Sequence, residues 1–532
     1  MGRLILSLVV LSTGCLFNDD FDKFHPAGGG GSGGSGGSGG AGGAGGAGGA
    51  GGSGGTDGGG CGGLGQACCP TSPACQGGVC NSSTGHCESC GGLGDLCCPS
   101  APACQVGSLC ATDGHCRACG GAGQACCQTG NVCASSFLSC VSATQTCQPC
   151  VAEVAANGFN TCIRKLDSTL WCWGDNFYGQ IGNGTMGGYS AAPVQVRMGA
   201  GGPPLTGVGA VAIAGTAICA RIGDRAWCWG DNANGELGQG TTGGGSSTPQ
   251  AVQTSTGGPL VGVTQIIGGS RHLCARLTIG MVCWGYNAFG QLGNGSIGSG
   301  TDRSYPTNMQ GLGSSNEMAA HSVETCARYG TGVWCAGDNR KGQIGNGTVT
   351  TTNPPGIPML TQVLSGPGTA FAGAQQIAVG SEFACARTAD RIFCWGGNLL
   401  GELANGTADS PYPIPVLASG GSPFTGVTGI AAGDYHICAL VGADPYCWGQ
   451  NTDGEVGNGM AGMSPIRSPT RVLTQAGPPL TNVMQLAIGD VHTCVLQADG
   501  TVQCWGYNTD GELGDETTNL RPYPAPVHLT CP

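Results

Sequence analysis

"HTCVLQADGTVQCWGYNTDGELG", residues 492–514, sets two cysteines either side of an Ala-Asp-Gly turn and follows the second with Trp-Gly-x-Asn. Short apolar runs flanking a Gly-containing turn read as a β-hairpin. Residues facing each other across a hairpin have a constant sum of residue numbers, set by the loop. A three-residue loop, Ala498-Asp499-Gly500, puts Cys494 directly opposite Cys504. Facing strand residues have Cα atoms about 4.5–5.5 Å apart, inside the roughly 4.4–6.8 Å window of a disulfide. Such a bond contributes on the order of 3 kcal/mol in the chain-entropy model.

The pattern recurs seven times, with CWGDN at 172 and 228, CWGYN at 283, CAGDN at 335, CWGGN at 394, CWGQN at 447 and CWGYN at 504. Cysteine spacing and turn length change together. Cys219 and Cys228 face each other around Gly223-Asp224, and Cys385 and Cys394 around Ala389-Asp390. Cys326 with Cys335 and Cys438 with Cys447 fit the same two-residue loop, while Cys274 with Cys283 takes a longer loop of the same parity. Cys162 and Cys172 take a three-residue loop centred on Asp167. Each unit reads as an apolar run, a Gly-containing corner, the hairpin, and then Asn-x-x-Gly-Glu/Gln-Leu-Gly. Successive units start 52 to 59 residues apart, longer than the roughly 40–45 of a WD40 blade, and a ring of β-sheets around an axis is expected.

The stretches "GDVHTCVLQADGTVQCWGYNTDGELG", "GDYHICALVGADPYCWGQNTDGEVG" and "GGSRHLCARLTIGMVCWGYNAFGQLG" resemble repeats of the regulator of chromosome condensation family. The resemblance covers about residues 150–532 and implies a seven-bladed β-propeller, in a superfamily that includes secreted bacterial β-lactamase-inhibitory proteins. Guanine-nucleotide exchange is a reading that follows from the family name alone. The expected fold class is all-β: a seven-bladed propeller over 150–532, preceded by a disordered Gly-rich tether and three small disulfide-rich modules. The first unit begins partway through, at Val151-Ala152-Glu153, so the segment Tyr523–Leu529 is expected to supply the outstanding strand of the first blade. Cys150 and Cys531 would then meet and clasp the ring.

Upstream, the composition changes sharply. MGRLILSLVVLSTGC reads as an export signal over 1–14 followed by Cys15, and it resembles a bacterial lipoprotein signal in which that cysteine is lipidated. Residues 15–60 then form the anchor and a linker of Gly with Ser and Ala, too poor in apolar surface to fold. The Gly-rich stretch 28–60 has a random-coil span of about 30 Å. Residues 61–149 repeat a six-cysteine unit with a period of about 29, as in Cys61, Cys68, Cys69, Cys75, Cys80 and Cys87. With little to pack, each unit needs cross-links, and the C-x6-C-C-x5-C spacing does not match zinc knuckles. Six cysteines allow about 15 pairings. One lipidated cysteine, eighteen in the modules, fourteen in the hairpins and the clasp pair account for all 35.

Function is expected in a protein partner, through what differs between units. A net charge of −12 with 9% charged residues argues against nucleic acid. The nine tryptophans lie at or beside the second hairpin strand, as packing residues, and the Glu or Gln of the Gly-Glu/Gln-Leu-Gly turns is expected to satisfy local backbone groups. The loops near 185–206, 241–259, 296–315, 348–373, 407–424 and 460–480 offer Arg303, Tyr305, Tyr412, Arg467 and Arg471 as candidate contacts. No catalytic residue, cofactor or metal is assigned. The rival reading, a glycan-active hydrolase or lyase, lacks support because no nucleophile elbow, no H-E-x-x-H and no unrepeated pair of carboxylates stands out. The whole is expected to be an exported, membrane-anchored lipoprotein and a monomer.

Overall fold

A computed structural model describes residues 146–529 and 531, apart from 407, together with short strands between 78 and 141. The signal, Cys15 and the linker to residue 60 lie outside the described residues, as does most of 61–149. Each small module shows one hairpin, whose register sets Cys80 opposite Cys87, Cys110 opposite Cys116 and Cys140 opposite Cys147. The fifth cysteine of each unit thus faces the sixth.

From Val151 onward the chain forms seven four-stranded antiparallel sheets, each built from consecutive strands. Blade 1 comprises Val151–Asn157, Asn160–Lys165, Leu170–Asp175 and Tyr189–Gln195. Blade 7 comprises Val483–Ile488, His492–Gln497, Val502–Gly506 and Arg521–Pro526. The first strand of each blade packs against the first strand of the next, so these strands line the axis. All seven hairpins have the register read from cysteine spacing, from Cys162 opposite Cys172 to Cys494 opposite Cys504. Each pair stands as a disulfide with Cα atoms 4.0–4.1 Å apart. That is tighter than an average facing pair and closest to the narrow, non-hydrogen-bonded ladder site.

The core lies between blades, since every apolar cluster joins two neighbours. Cys162, Leu170 and Val196 of blade 1 pack with Val211, Ile218 and Trp229 of blade 2. Val151 and Trp173 pack with Leu496, Val502 and Leu513 of blade 7. Six tryptophans, Trp173, Trp229, Trp284, Trp395, Trp448 and Trp505, are fully buried. Each indole N–H donates to the backbone carbonyl of the preceding blade's turn Glu or Gln at 2.7–2.8 Å. A buried indole needs a partner for its N–H, so this bond orients the ring while its body fills the seam.

Ring closure differs from the sequence expectation. Arg521–Pro526 pairs with Val502–Gly506 and is the outer strand of blade 7, not a strand of blade 1. Blade 1 is complete because Val151–Asn157 is already its inner strand and Tyr189–Gln195 its outer one. The Pro-containing lead before each later unit is the outer strand of the preceding blade, so the first unit lacks nothing. Val527 and Leu529 continue into the seam against blade 1, where Cys150 and Cys531 stand as a disulfide with Cα atoms 6.1 Å apart.

Candidate interaction face

Antiparallel strand order sends two kinds of connection to one end of the ring. These are the corners between first and second strands and the loops between third and outer strands, such as 176–188, 339–355 and 450–465. The regions expected as long loops turn out to contain the outer strands, because their Pro-rich segments pair along one edge only.

One buried asparagine organises each long loop. In blade 7, Asn508 Oδ1 accepts from the backbone N–H of Leu513 at 2.9 Å, and its amide donates to the carbonyl of Thr517 at 3.0 Å. Asn176, Asn232, Asn287, Asn339, Asn398 and Asn451 accept in the same way from the residue five further on. The turn Glu or Gln accepts from the N–H two residues before it, as Glu512 does from Asp510 at 3.0 Å and Gln180 from Tyr178 at 2.8 Å. Glu236, Glu402 and Glu455 are pushed up to about 7 by burial, and Glu512 to about 8. Asp175 and Asp231 likewise accept from loop N–H groups.

The corners meet at the axis. Asp490 donates its N–H to the Gly158 carbonyl, Ser270 to Ser322, and Ser381 to Asp434. Asn157 donates its amide to the carbonyls of Ile213, Gly268 and Gly269. A Cβ at Gly158 would lie 2.8 Å from Gly215 Cα, which is why glycine, with φ +57°, stands there. His321, Asp434 and Asp490 also converge at this end, with His321 Nε2 3.6 Å from an oxygen of each carboxylate. Sequence reading missed this pair of carboxylates. Counting back from the first cysteine of each hairpin would have exposed it, since both aspartates stand four residues before, and His321 five before.

Three other buried histidines serve the seams. His272, His436 and His492 place Nε2 at 2.8–2.9 Å from the hydroxyls of Thr325, Thr493 and Thr161 of the next blade. Each threonine hydroxyl donates onward to a turn carbonyl, of Gln291, Glu455 and Glu512 respectively. Nε2 therefore carries the ring hydrogen and donates a hydrogen bond to the threonine oxygen. Burial pushes all three imidazoles down to about 3, so they are neutral.

Exposed apolar side chains stand at both ends of the ring, with Leu166, Val261 and Ile279 at the hairpin end and a further set at the loop end. Phe177, Met186, Val349, Leu399, Met460 and Met463 all stand on these loops, with Leu399 69% and Met463 84% exposed. The residues expected as contacts lie instead on outer strands of blades 3, 5 and 6. Arg303 donates to the Thr301 carbonyl, and Arg467 to that of Leu399. Tyr305 and Tyr412 lie over Gly240 and Gly347 of the preceding blade, where any side chain would collide with their rings. Arg471 binds the Tyr446 hydroxyl at 2.7 Å and Asp444 at 2.8 Å.

Family models of the regulator of chromosome condensation (RCC1) repeat match residues 151–180, 224–276, 389–440 and 483–512. The chain is 26% identical over 359 residues to the E3 ubiquitin-protein ligase HERC2 of Homo sapiens, which covers 66% of this chain and 7% of that protein. It is 26% identical over 302 residues to the ultraviolet-B receptor UVR8 of Arabidopsis thaliana, covering 54% of this chain and 62% of the receptor. Among solved structures, human WBSCR16 superposes with a TM-score of 0.55 at 20% identity, covering 68% of this chain and 95% of that one. Prp20p of Saccharomyces cerevisiae, described with its binding properties to Gsp1p and histones, gives 0.54 at 18% identity, covering 68% and 86%. The chain is thus similar to proteins with RCC1 repeats and folds as a seven-bladed propeller.

Proposed function

We propose that the protein is an exported, envelope-anchored interaction module that binds a protein partner through the loop end of its propeller and catalyses nothing. The observation that carries the reading is that Phe177, Met186, Val349, Leu399, Met460 and Met463 are exposed on loops whose backbones are braced by buried asparagines. A preorganised apolar surface is what a protein interface requires, because its side chains lose little freedom on docking. The propeller of Prp20p, described with Gsp1p and histones, is consistent with such use. The ligase activity named for HERC2 belongs to a protein of which this chain spans 7%. That activity is not carried over. Cys15 would hold the monomer at a membrane.

The test is co-purification from fractionated envelope. Full-length protein is compared with a variant carrying Phe177→Ser, Leu399→Ser and Met463→Ser, and with a control, Ile279→Ser, on a hairpin turn at the opposite end. Loss of a specific partner in the first variant alone is expected, with Cys15→Ser releasing the chain from the membrane fraction. Equal recovery of the partner from both variants would rule out the loop end.

A further inference from the structure

Seven units aligned on their first hairpin cysteine present the same two corner positions to the propeller axis. At five residues before the cysteine stand Asn157, Ala214, Gly269, His321, Gly380, Gly433 and Gly489. At four before stand Gly158, Gly215, Ser270, Ser322, Ser381, Asp434 and Asp490. Small residues are expected wherever corners meet, and most of these are small. Four are not: Asn157, whose amide is used on the carbonyls of Ile213, Gly268 and Gly269, and three metal-ligating residues brought together from blades 4, 6 and 7.

Their geometry is open where a hydrogen bond would be closed. His321 Nε2 lies 3.6 Å from Asp434 Oδ1 and 3.6 Å from Asp490 Oδ1, beyond the roughly 2.7–3.2 Å of an N–H···O bond. Two ligands bound at about 2.0–2.1 Å to a tetrahedral ion stand about 3.4 Å apart, close to what is seen. The other three buried histidines supply an internal control, for each has a threonine hydroxyl at 2.8–2.9 Å. His321, only 2% exposed, has no hydrogen-bond partner at either ring nitrogen. An orphaned imidazole of this kind is costly unless something else satisfies it. The Gly158 N–H donates to Asp490 Oδ1 at 2.9 Å and orients that carboxylate toward the axis, as an outer-shell donor does for a metal ligand.

We propose that His321, Asp434 and Asp490 bind one divalent cation of the zinc class where the corners meet at the propeller axis. One imidazole and two carboxylates are three protein ligands, which leaves a fourth position for water. Calcium fits poorly, as it takes about 6–8 oxygens. The cation neutralises two carboxylates that are only 26% and 17% exposed, and it ties the corners of three blades to a common point.

The experiment uses the oxidised full-length chain, stripped with chelator and kept free of reductant so that cysteines do not compete. Titration calorimetry with ZnCl2 is expected to show one equivalent bound per chain, and Co²⁺ to give a ligand-field absorption band. His321→Ala should weaken zinc by more than about 100-fold, since it removes a direct ligand where loss of a supporting residue already costs about 10–100-fold. Asp434→Asn keeps shape at a partly exposed position, so it decides the matter if His321→Ala fails to fold. It should also lose the cobalt band. No zinc uptake by the wild-type chain, calcium bound in preference to zinc, or unchanged uptake by the folded variants would each overturn the proposal.

Discussion

The seam that closes the ring, between blades 7 and 1, and the seam between blades 3 and 4 share a polar frame and differ in a tryptophan, in the turn residue, Glu512 against Gln291, and in one cross-link. In both, the Nε2–H of a neutral histidine donates a hydrogen bond to threonine, whose hydroxyl donates to a turn carbonyl: His492, Thr161 and Glu512 in one, His272, Thr325 and Gln291 in the other. In both, a glutamine amide pairs with the neighbouring inner strand like a backbone unit, Gln485 with Val154 and Gln265 with Met318. The closing seam adds Trp173, whose N–H also reaches the Glu512 carbonyl at 2.7 Å, and the Cys150–Cys531 bond. Blade 4 has Ala336 where the tryptophan stands elsewhere. A Cβ on Gly514 would meet Trp173 Nε1, whereas one on Gly293 would meet Met309 Cε, so a methionine fills the vacated space. The histidine–threonine bonds and the glutamine pairing are thus common to seams with and without an indole, and the indole adds packing to them.

The comparison breaks most visibly at the clasp. Replacing Cys150 and Cys531 by serine removes a cross-link spanning 381 residues. In the chain-entropy model a loop that long is worth on the order of 5 kcal/mol. Denaturant unfolding should show that loss, and hydrogen exchange should show the seam between blades 7 and 1 opening first. An unchanged midpoint would mean that side-chain packing alone closes the ring.

Next in size is the indole. Trp173→Ala should cost about 3–5 kcal/mol by transfer and cavity terms. The converse change, Ala336→Trp, should not stabilise blade 4 but cost about 1–3 kcal/mol, because Met309 already occupies the space. Thermal melts of the two variants decide it, and a stabilised Ala336→Trp protein would contradict the packing described.

A third effect is electrostatic and depends on pH, and it separates Glu512 at one seam from Gln291 at the other. Burial lifts the Glu512 carboxyl to about 8 from an ordinary 4.5. The folded chain therefore holds a proton that the unfolded chain releases. The stabilisation is complete below about pH 4.5 and drains away as pH rises through about 8. Glu512→Gln, which copies the natural Gln180, Gln291 and Gln343, should raise the melting temperature near pH 9 and leave it nearly unchanged near pH 4. Equal shifts at both values would place the effect in packing instead.

Much of the fold was legible because hairpin geometry is local. Cysteine spacing and turn length alone gave the register of all seven hairpins, including the longer loop of Cys274 and Cys283. Closure was not legible, since the Pro-containing lead looks the same whether it ends one blade or begins the next; only strand pairing assigns Arg521–Pro526 to blade 7. Nor does any local pattern reveal that Tyr305 and Tyr412 each cover a glycine of another blade. The axial trio was hidden for a similar reason. Each member is unremarked within its own unit and becomes a cluster only when the ring closes.

By itself the chain determined its repeating unit: seven hairpins, their facing cysteines, and an asparagine and a glutamate or glutamine in every turn, all of which follow from steric and hydrogen-bonding rules acting over about a dozen residues. Tertiary structure alone decided which blade owns the last strand, which carboxyls are buried far enough to hold a proton near neutral pH, and which corner side chains share the axis. Those outcomes depend on distances between units, and such distances exist only once the two ends of the ring have met.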